Sequence, residues 1–362
     1  MRIAIVGAGP AGATAALALS RQGTHEIVLL DRDSFPRVKT CGSALSPRCI
    51  SLCHTLGIET TMAPLAYPVS GLRFTGPSGR QATLTGKAGG AWIIPRARFD
   101  AEIAFAAERF GVRFEQGFKA TTLVRDPRGR VAGVSDGQRT LEADLTLVAD
   151  GAHSRFSSDL RKKRQIATLM GWWEGVEGVL PGHMEMWFDR RVAPWYGWLF
   201  PETTERVNIG ICYRPEDPVP PKDIFGEIVD RHLGRRLRKA TQVQKYRGAP
   251  IVYTEEIGEV AAPGALWIGE AARLTNAATG EGIFYAMKSG VIAAELIARH
   301  GITDGDRLLT AYRTAIQRAF TARFLLALGF MRFANTPAFS LLTSLVAVPP
   351  VQKTLTWALE HV

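Results

Sequence analysis

The chain has 362 residues, 46% hydrophobic and 22% charged, with a formal net charge of +10. This is globular composition for one large unit or two sharing a boundary, and no long low-complexity tract or fixed-period repeat appears in the sequence. The positive balance suits anionic partners such as cofactors, lipid head groups or nucleic acid. However, arginines are scattered, and the densest cluster, Arg161 to Arg164, lacks the interleaved aromatics of a nucleic-acid platform.

Arg2-Ile3-Ala4-Ile5-Val6 reads as a short buried strand that stops at glycine. Gly7-Ala8-Gly9-Pro10-Ala11-Gly12 follows, then a helical stretch of small residues from Ala13 to Ser20. A second strand, Glu26 to Leu30, ends in Asp31. In this βαβ context Gly7 permits the tight turn, Gly9 and Ala11 leave room for a pyrophosphate, and Gly12 lets the helix approach the strand. The helix start offers unpaired N–H groups to phosphate. Asp31 stands where a carboxylate accepts ribose hydroxyls, which favours FAD or NAD over NADP.

A loop with Lys39 and Cys41 comes next. Cys49 and Cys53 lie one turn apart on a predicted helix beside His54, but no second ligand pair has zinc spacing, so no metal is expected. Leu145 to Val148 is a strand that runs into Asp150-Gly151, with His153 in the same turn. Between about 160 and 262, short alternating runs separated by tight turns predict an antiparallel sheet, interrupted by a basic helix from Asp223 to Arg238. Tyr196, Trp198 and Phe200 alternate onto one strand face. They are either sheet core or the wall of a pocket for a flat or greasy substrate.

Ala265 to Ile268 is a further strand, ending in Gly269-Glu270. Thr279-Gly280-Glu281-Gly282-Ile283 then opens a small-residue helix. NAD needs only the first unit. The elongated FAD needs a second acid, here Glu270, and a helix start such as Gly280–Gly282 near the electron-rich end of its ring. FAD is therefore the expected cofactor.

After about residue 301 the chain reads as helices, with Leu308, Tyr312, Ile316 and Phe320 on one apolar face. The greasy end either packs on the cofactor domain or forms a lip that touches membrane. No apolar stretch reaches the roughly 20 residues of a spanning helix. Four cysteines, with Met1 leading directly into a strand, point to a reducing cytoplasm.

These motifs, together with Lys39-Thr40-Cys41-Gly42, Pro95-Arg96-Ala97-Arg98-Phe99-Asp100 and Tyr196-Gly197-Trp198-Leu199-Phe200-Pro201, stand in an order that resembles the FAD-dependent geranylgeranyl reductase family. That family lies within the para-hydroxybenzoate hydroxylase-like flavoproteins. The resemblance spans roughly residues 1 to 300. It implies that Arg98 contacts the cofactor, that Asp150-Gly151 supports the pyrophosphate or nicotinamide side, and that Cys41 serves the substrate pocket. Three positions depart from the family pattern: Glu270 replaces Asp, Ser43 replaces the second glycine after the cysteine, and Ala277 replaces a proline.

The expected fold is α/β: a Rossmann-type FAD-binding domain with an inserted antiparallel β substrate domain and a helical C-terminus. The FAD-binding domain takes 1–70, 93–160 and 262–300, the β domain 71–92 and 161–261, and the C-terminal helices 301–362. The expected activity is reduction of a carbon–carbon double bond in a hydrophobic, isoprenoid-like substrate. NAD(P)H is the transient electron donor, since no second nucleotide-binding unit is visible. Cys41 or a water supplies the proton; against this, Cys41 reads equally as a small buried loop residue. Tyr196 and Trp198 are the other catalytic candidates.

The rival is a monooxygenase that hydroxylates an aromatic ring. A flavin halogenase fits less well, because the first Trp and the Ile of its Trp-x-Trp-x-Ile-Pro motif are missing. A non-catalytic flavoprotein or membrane-surface module leaves the cysteine and the aromatic strand unexplained.

Overall fold

The computed structural model describes residues 1–85, 90–157, 164–303 and 305–345. Arg161–Lys163 of the basic cluster and the tail beyond 345 lie outside the described residues.

The first layer is a six-stranded sheet in the spatial order Ala261–Ala262, Ala265–Trp267, Leu145–Val148, Arg2–Val6, Glu26–Asp31, Arg113–Gln116. All neighbours are parallel except the outermost pair. Alternation along Arg2–Val6 divides the two faces. Ile3 and Ile5 meet the helices Pro10–Ser20, Arg96–Arg109 and Ile283–His300. Ala4 and Val6 meet Phe118, Val134 and Leu141.

The latter residues belong to or flank a three-stranded antiparallel meander, Thr122–Arg125, Val131–Ser135 and Thr140–Glu142. The meander is an addition to the elements expected from sequence. Its strands are so short that only the turns at Asp126–Gly129 and Asp136–Gly137 announce them.

The second layer is a seven-stranded sheet ordered Thr241–Tyr253, Arg164–Glu174, Arg206–Tyr213, Gly197–Pro201, His183–Trp187, Gly71–Thr75, Gln81–Thr85. It is antiparallel except between His183–Trp187 and Gly71–Thr75. Its back face carries Leu199, Ile209 and Ile211, packed under Ile224, Phe225 and Ile228 of helix Pro221–Leu233. The helix expected over Asp223–Arg238 stops at Leu233. Gly234 follows, and Arg236 turns back to clasp the buried Glu185 carboxylate at 2.8 Å through two nitrogens. The front face carries Trp172, Trp198 and Phe200 and packs towards Ala277 of the cofactor domain.

Helix Gly305–Ala334 is anchored on the first layer, where the Tyr312 hydroxyl donates to the Trp267 carbonyl at 2.8 Å. Farther along, Leu328 and Met331 reach the front face of the second sheet. The chain then bends by 91° into helix Pro337–Ser344. No single described helix is long and apolar enough to cross a membrane.

Candidate functional site

The glycine motif forms a cradle that larger residues would fill. Gly7 has φ +102°, and a Cβ there would sit 2.4 Å from the Ala149 carbonyl oxygen. A Cβ on Gly12 would lie 1.9 Å from the Gly7 oxygen. Above Gly9 the nearest neighbour is Arg37 Nη2 at 3.6 Å from such a Cβ, which leaves the approach of an anion open. Helix Pro10–Ser20 has neither a side-chain cap nor an acidic residue in its first turn, so its N–H groups are available to phosphate.

Asp31 closes the next strand. Its two oxygens accept from the Ala8 and Asp33 amides at 2.8 and 3.0 Å. Opposite, Gly269 (φ +63°) packs so tightly that a Cβ would lie 2.7 Å from Ala11. Glu270 Oε1 accepts the Val252 amide at 3.0 Å, and Oε2 lies 3.7 Å from Lys39 Nζ, beside Gly151. Asp150 Oδ2 accepts the Arg155 amide at 3.2 Å, while the buried Oδ1 has no hydrogen-bond partner. Burial raises the Asp150 pKa above the ordinary carboxylate value despite that amide and Ser154. An orphaned acceptor, a glycine cradle and two flanking acids fit an elongated dinucleotide such as FAD.

Two arginines complete this end and escaped the sequence reading. Arg96 Nε and Nη2 bind both oxygens of Asp100 at 2.6 Å, with both side chains buried. Arg37 Nη2 reaches the same Asp100 at 3.2 Å, and its Nε lies 3.9 Å from Asp31. Burial alone would lower the Arg96 pKa, but Asp100, helped by the Cys41 sulfur, outweighs it and holds the guanidinium firmly charged. Arg98, expected at the cofactor, is exposed, and its charge acts on Glu202. The missed signal was the Arg96/Asp100 spacing of four at a helix start. There the dipole disfavours a cation unless a carboxylate holds it.

At the far end the Cys41 loop meets the aromatic strand. Ser43 adopts φ +65°, which explains why a glycine suits this position, and its amide lies 3.3 Å from Cys41 Sγ. A Cβ on Gly42 would stand 3.2 Å from the Phe200 ring and 3.4 Å from Trp198 Nε1. The alternation expected of Tyr196, Trp198 and Phe200 appears as ring contacts of 6.2 and 6.0 Å. Trp198 Nε1 donates to Asn208 Oδ1 at 2.7 Å, which fixes the indole. The Tyr196 hydroxyl donates to the Thr279 carbonyl, and Trp195 Nε1 donates to that of Ala277 at 2.9 Å. Burial, followed by Cys212, Glu281 and Cys41, pushes the Tyr196 phenol well above its usual pKa.

The glycine-rich loop before helix Ile283–His300 is organised by Asn276. Its Oδ1 accepts from the Ala278 and Thr279 amides at 2.9 and 3.1 Å, and its carbonyl accepts from Gly280 at 2.9 Å. Gly280 has φ +67°, and Gly282 leads into the helix. Cys49 and Cys53 are both buried, and burial first of all raises their pKa values, that of Cys53 to about 12. His153 is exposed. Among the described residues no three His, Cys, Asp or Glu side chains gather as a metal site.

The FAD-binding domain family matches residues 1–186. The chain is 30% identical to a menaquinone reductase of Mycobacterium tuberculosis, over 92% of this chain and 85% of that one. It is 26% identical to a digeranylgeranylglycerophospholipid reductase of Methanothrix thermoacetophila, over 84% and 79%. Among solved structures, the flavin-dependent brominase Bmp2 superposes with a TM-score of 0.82 at 20% identity, covering 99% of this chain and 93% of its own. A geranylgeranyl bacteriochlorophyll reductase-like protein of Thermoplasma acidophilum gives 0.78 at 20% identity, covering 99% and 98%. The chain thus belongs to the FAD-binding domain family, within the group of the geranylgeranyl reductases, and is an FAD-dependent oxidoreductase.

Proposed function

We propose that this enzyme reduces a carbon–carbon double bond in a hydrophobic, isoprenoid-like substrate, with electrons from NAD(P)H. The observation that carries this reading is the apposition of the Cys41–Gly42 loop and the Trp198–Phe200 wall at one end of the dinucleotide cradle. Gly7, Gly9, Ala11, Gly12, Asp31, Asp150, Gly151, Gly269, Glu270, Gly280 and Gly282 would hold the FAD, with Arg37 above Gly9 available to its phosphates. Bound FAD supplies hydride chemistry. Cys41 donates the proton to the carbon being reduced. Trp198 and Phe200 present an apolar wall, which favours an apolar chain over a charged one. Tyr196 orients the loop through Thr279 and stays neutral throughout.

The reductase names carried by relatives along most of the chain favour this activity. Likeness to a flavin-dependent brominase supports a second reading, in which oxygen is consumed. Anaerobic NADPH or NADH addition followed by air tests both. A flavin spectrum that bleaches, then transfers its electrons to an unsaturated isoprenoid without oxygen, supports the reductase. Stoichiometric oxygen uptake triggered by an aromatic compound overturns it.

The substrate's apolarity suggests where the enzyme works. Exposed Leu325, Leu326 and Leu345 flank the helix bend, with exposed Arg318 and Arg332 on the same helix. This pattern suits shallow docking on an anionic bilayer from the cytoplasmic side. Flotation with vesicles containing anionic lipid tests it: Leu325→Glu/Leu326→Glu is expected to abolish binding while FAD stays bound.

A further inference from the structure

Arg48 and Glu281 tie together two segments far apart in the chain. Arg48 lies in the first turn of helix Pro47–Thr55, directly after the Cys41 loop, and Glu281 lies in the glycine-rich loop before helix Ile283–His300. Arg48 Nη2 is 2.8 Å from Glu281 Oε2, with the side chains only 24% and 16% exposed. The guanidinium also sits over the Phe284 ring at 4.8 Å and the Tyr285 ring at 5.9 Å. Arg48 Nη1 and Glu281 Oε1 are buried without hydrogen-bond partners, so each group relies on the other. The influence of Glu281 extends inwards: after burial it helps to raise the Cys49 thiol, and after burial and Cys212 the Tyr196 phenol.

A bare carboxylate at this place opposes the chemistry next to it. The start of a helix contributes positive potential to an electron-rich ring, and an uncompensated anion in the same loop cancels it. The site is shielded enough that salt does little to screen the charge.

We propose that Arg48 neutralises Glu281 at the ring end of the FAD site, so that the pair sets the reduction equilibrium of the flavin while pinning the Cys41 segment to the ring-binding loop. This rests on the ring placement given under the proposed function. It makes Arg48 and Glu281 positioning residues, acting through charge on the cofactor.

The test is the midpoint potential of FAD-loaded protein at mildly alkaline pH, with loading verified by the visible spectrum. Arg48→Gln leaves the carboxylate uncompensated and disfavours the anionic reduced flavin by roughly tenfold, or about 30 mV downward for a two-electron couple. Glu281→Gln leaves the cation alone and moves the potential upward. Arg48→Lys and the double variant Arg48→Gln/Glu281→Gln both return close to wild type. A merely structural pair would not give opposite signs. Equal potentials in all FAD-loaded variants, or a downward shift that Glu281→Gln does not reverse, would overturn the inference. If Arg48→Gln does not fold, the upward shift of Glu281→Gln decides alone. Wild-type protein that takes up no FAD would overturn the proposed function as well, whereas FAD-loaded protein with an indifferent potential defeats only this inference.

Discussion

Arg96 and Asp100 form a bidentate pair with both contacts at 2.6 Å, and neither side chain reaches solvent appreciably. Arg37 adds a second guanidinium to the same carboxylate at 3.2 Å. Asp100→Asn therefore leaves the buried Arg96 without its carboxylate and Arg37 with only the longer contacts to Asp31 and Asp33. Breaking a buried pair from one side costs about 3–5 kcal/mol. Urea unfolding of the FAD-free variant is expected to show a loss of that order, and a loss under about 1 kcal/mol would place the pair in the class of surface salt bridges.

Cys41 is half-buried, whereas Cys49, Cys53 and Cys212 are buried. Burial pushes Cys53 and Cys212 up to about 12 and Cys49 well above its usual value. Native protein treated with iodoacetamide near neutrality should be modified at Cys41 first, and all four sites should react in urea. Comparable native labelling of Cys53 would contradict the packing of helix Pro47–Thr55.

In catalysis, Cys41→Ala should keep full FAD content and lose turnover by roughly 10²–10⁴-fold, the range of a lost general acid. Wild-type turnover in that variant would remove Cys41 from the mechanism and leave water as the proton source.

Glu270 bridges the Val252 amide and Lys39. Glu270→Ala should weaken FAD binding by about ten- to a hundredfold, as expected for a lost charge-assisted hydrogen bond. Glu270→Asp should bind nearly as well, since the acid is retained. Equilibrium dialysis with FAD measures both, and unchanged affinity in the alanine variant would show that the second acid is dispensable.

Asp150 carries a raised pKa because burial penalises its charge. The sign follows directly. Below the ordinary carboxylate range the folded and unfolded chains are both protonated and there is no penalty. As pH rises through the higher folded value, the folded chain alone must hold an unfavourable anion, so stability is lost. In FAD-free protein, Asp150→Asn should thus raise the Tm near neutrality and do little in acid, while FAD affinity falls. A destabilised asparagine variant near neutrality would mean that the carboxylate is satisfied after all.

What the sequence disclosed and what it concealed follow from the range of the interactions. Gly7, Gly12 and Asp31 were legible because a turn, a helix approach and a strand end are set within a few residues. The Tyr196–Trp198–Phe200 face was legible because strand alternation is strictly local. Arg37 is not legible because its partner Asp100 arrives from the distant helix Arg96–Arg109, and the Arg96–Asp100 pair is not because a motif does not report burial. The Arg48–Glu281 pair was invisible for the same reason: nothing near either residue announces the other.

Helix Gly305–Ala334 is a single rod of 30 residues, about 45 Å long at 1.5 Å per residue. One end is bolted to the cofactor domain through Tyr312, and the other presses Leu328 and Met331 onto the aromatic wall. Between these ends Ile316, Phe320 and Phe324 are buried in the same core as the cofactor domain, so the helix is a strut fastened along most of its length. It thereby fixes the spacing between the cofactor domain and the aromatic wall, which neither sheet sets by itself.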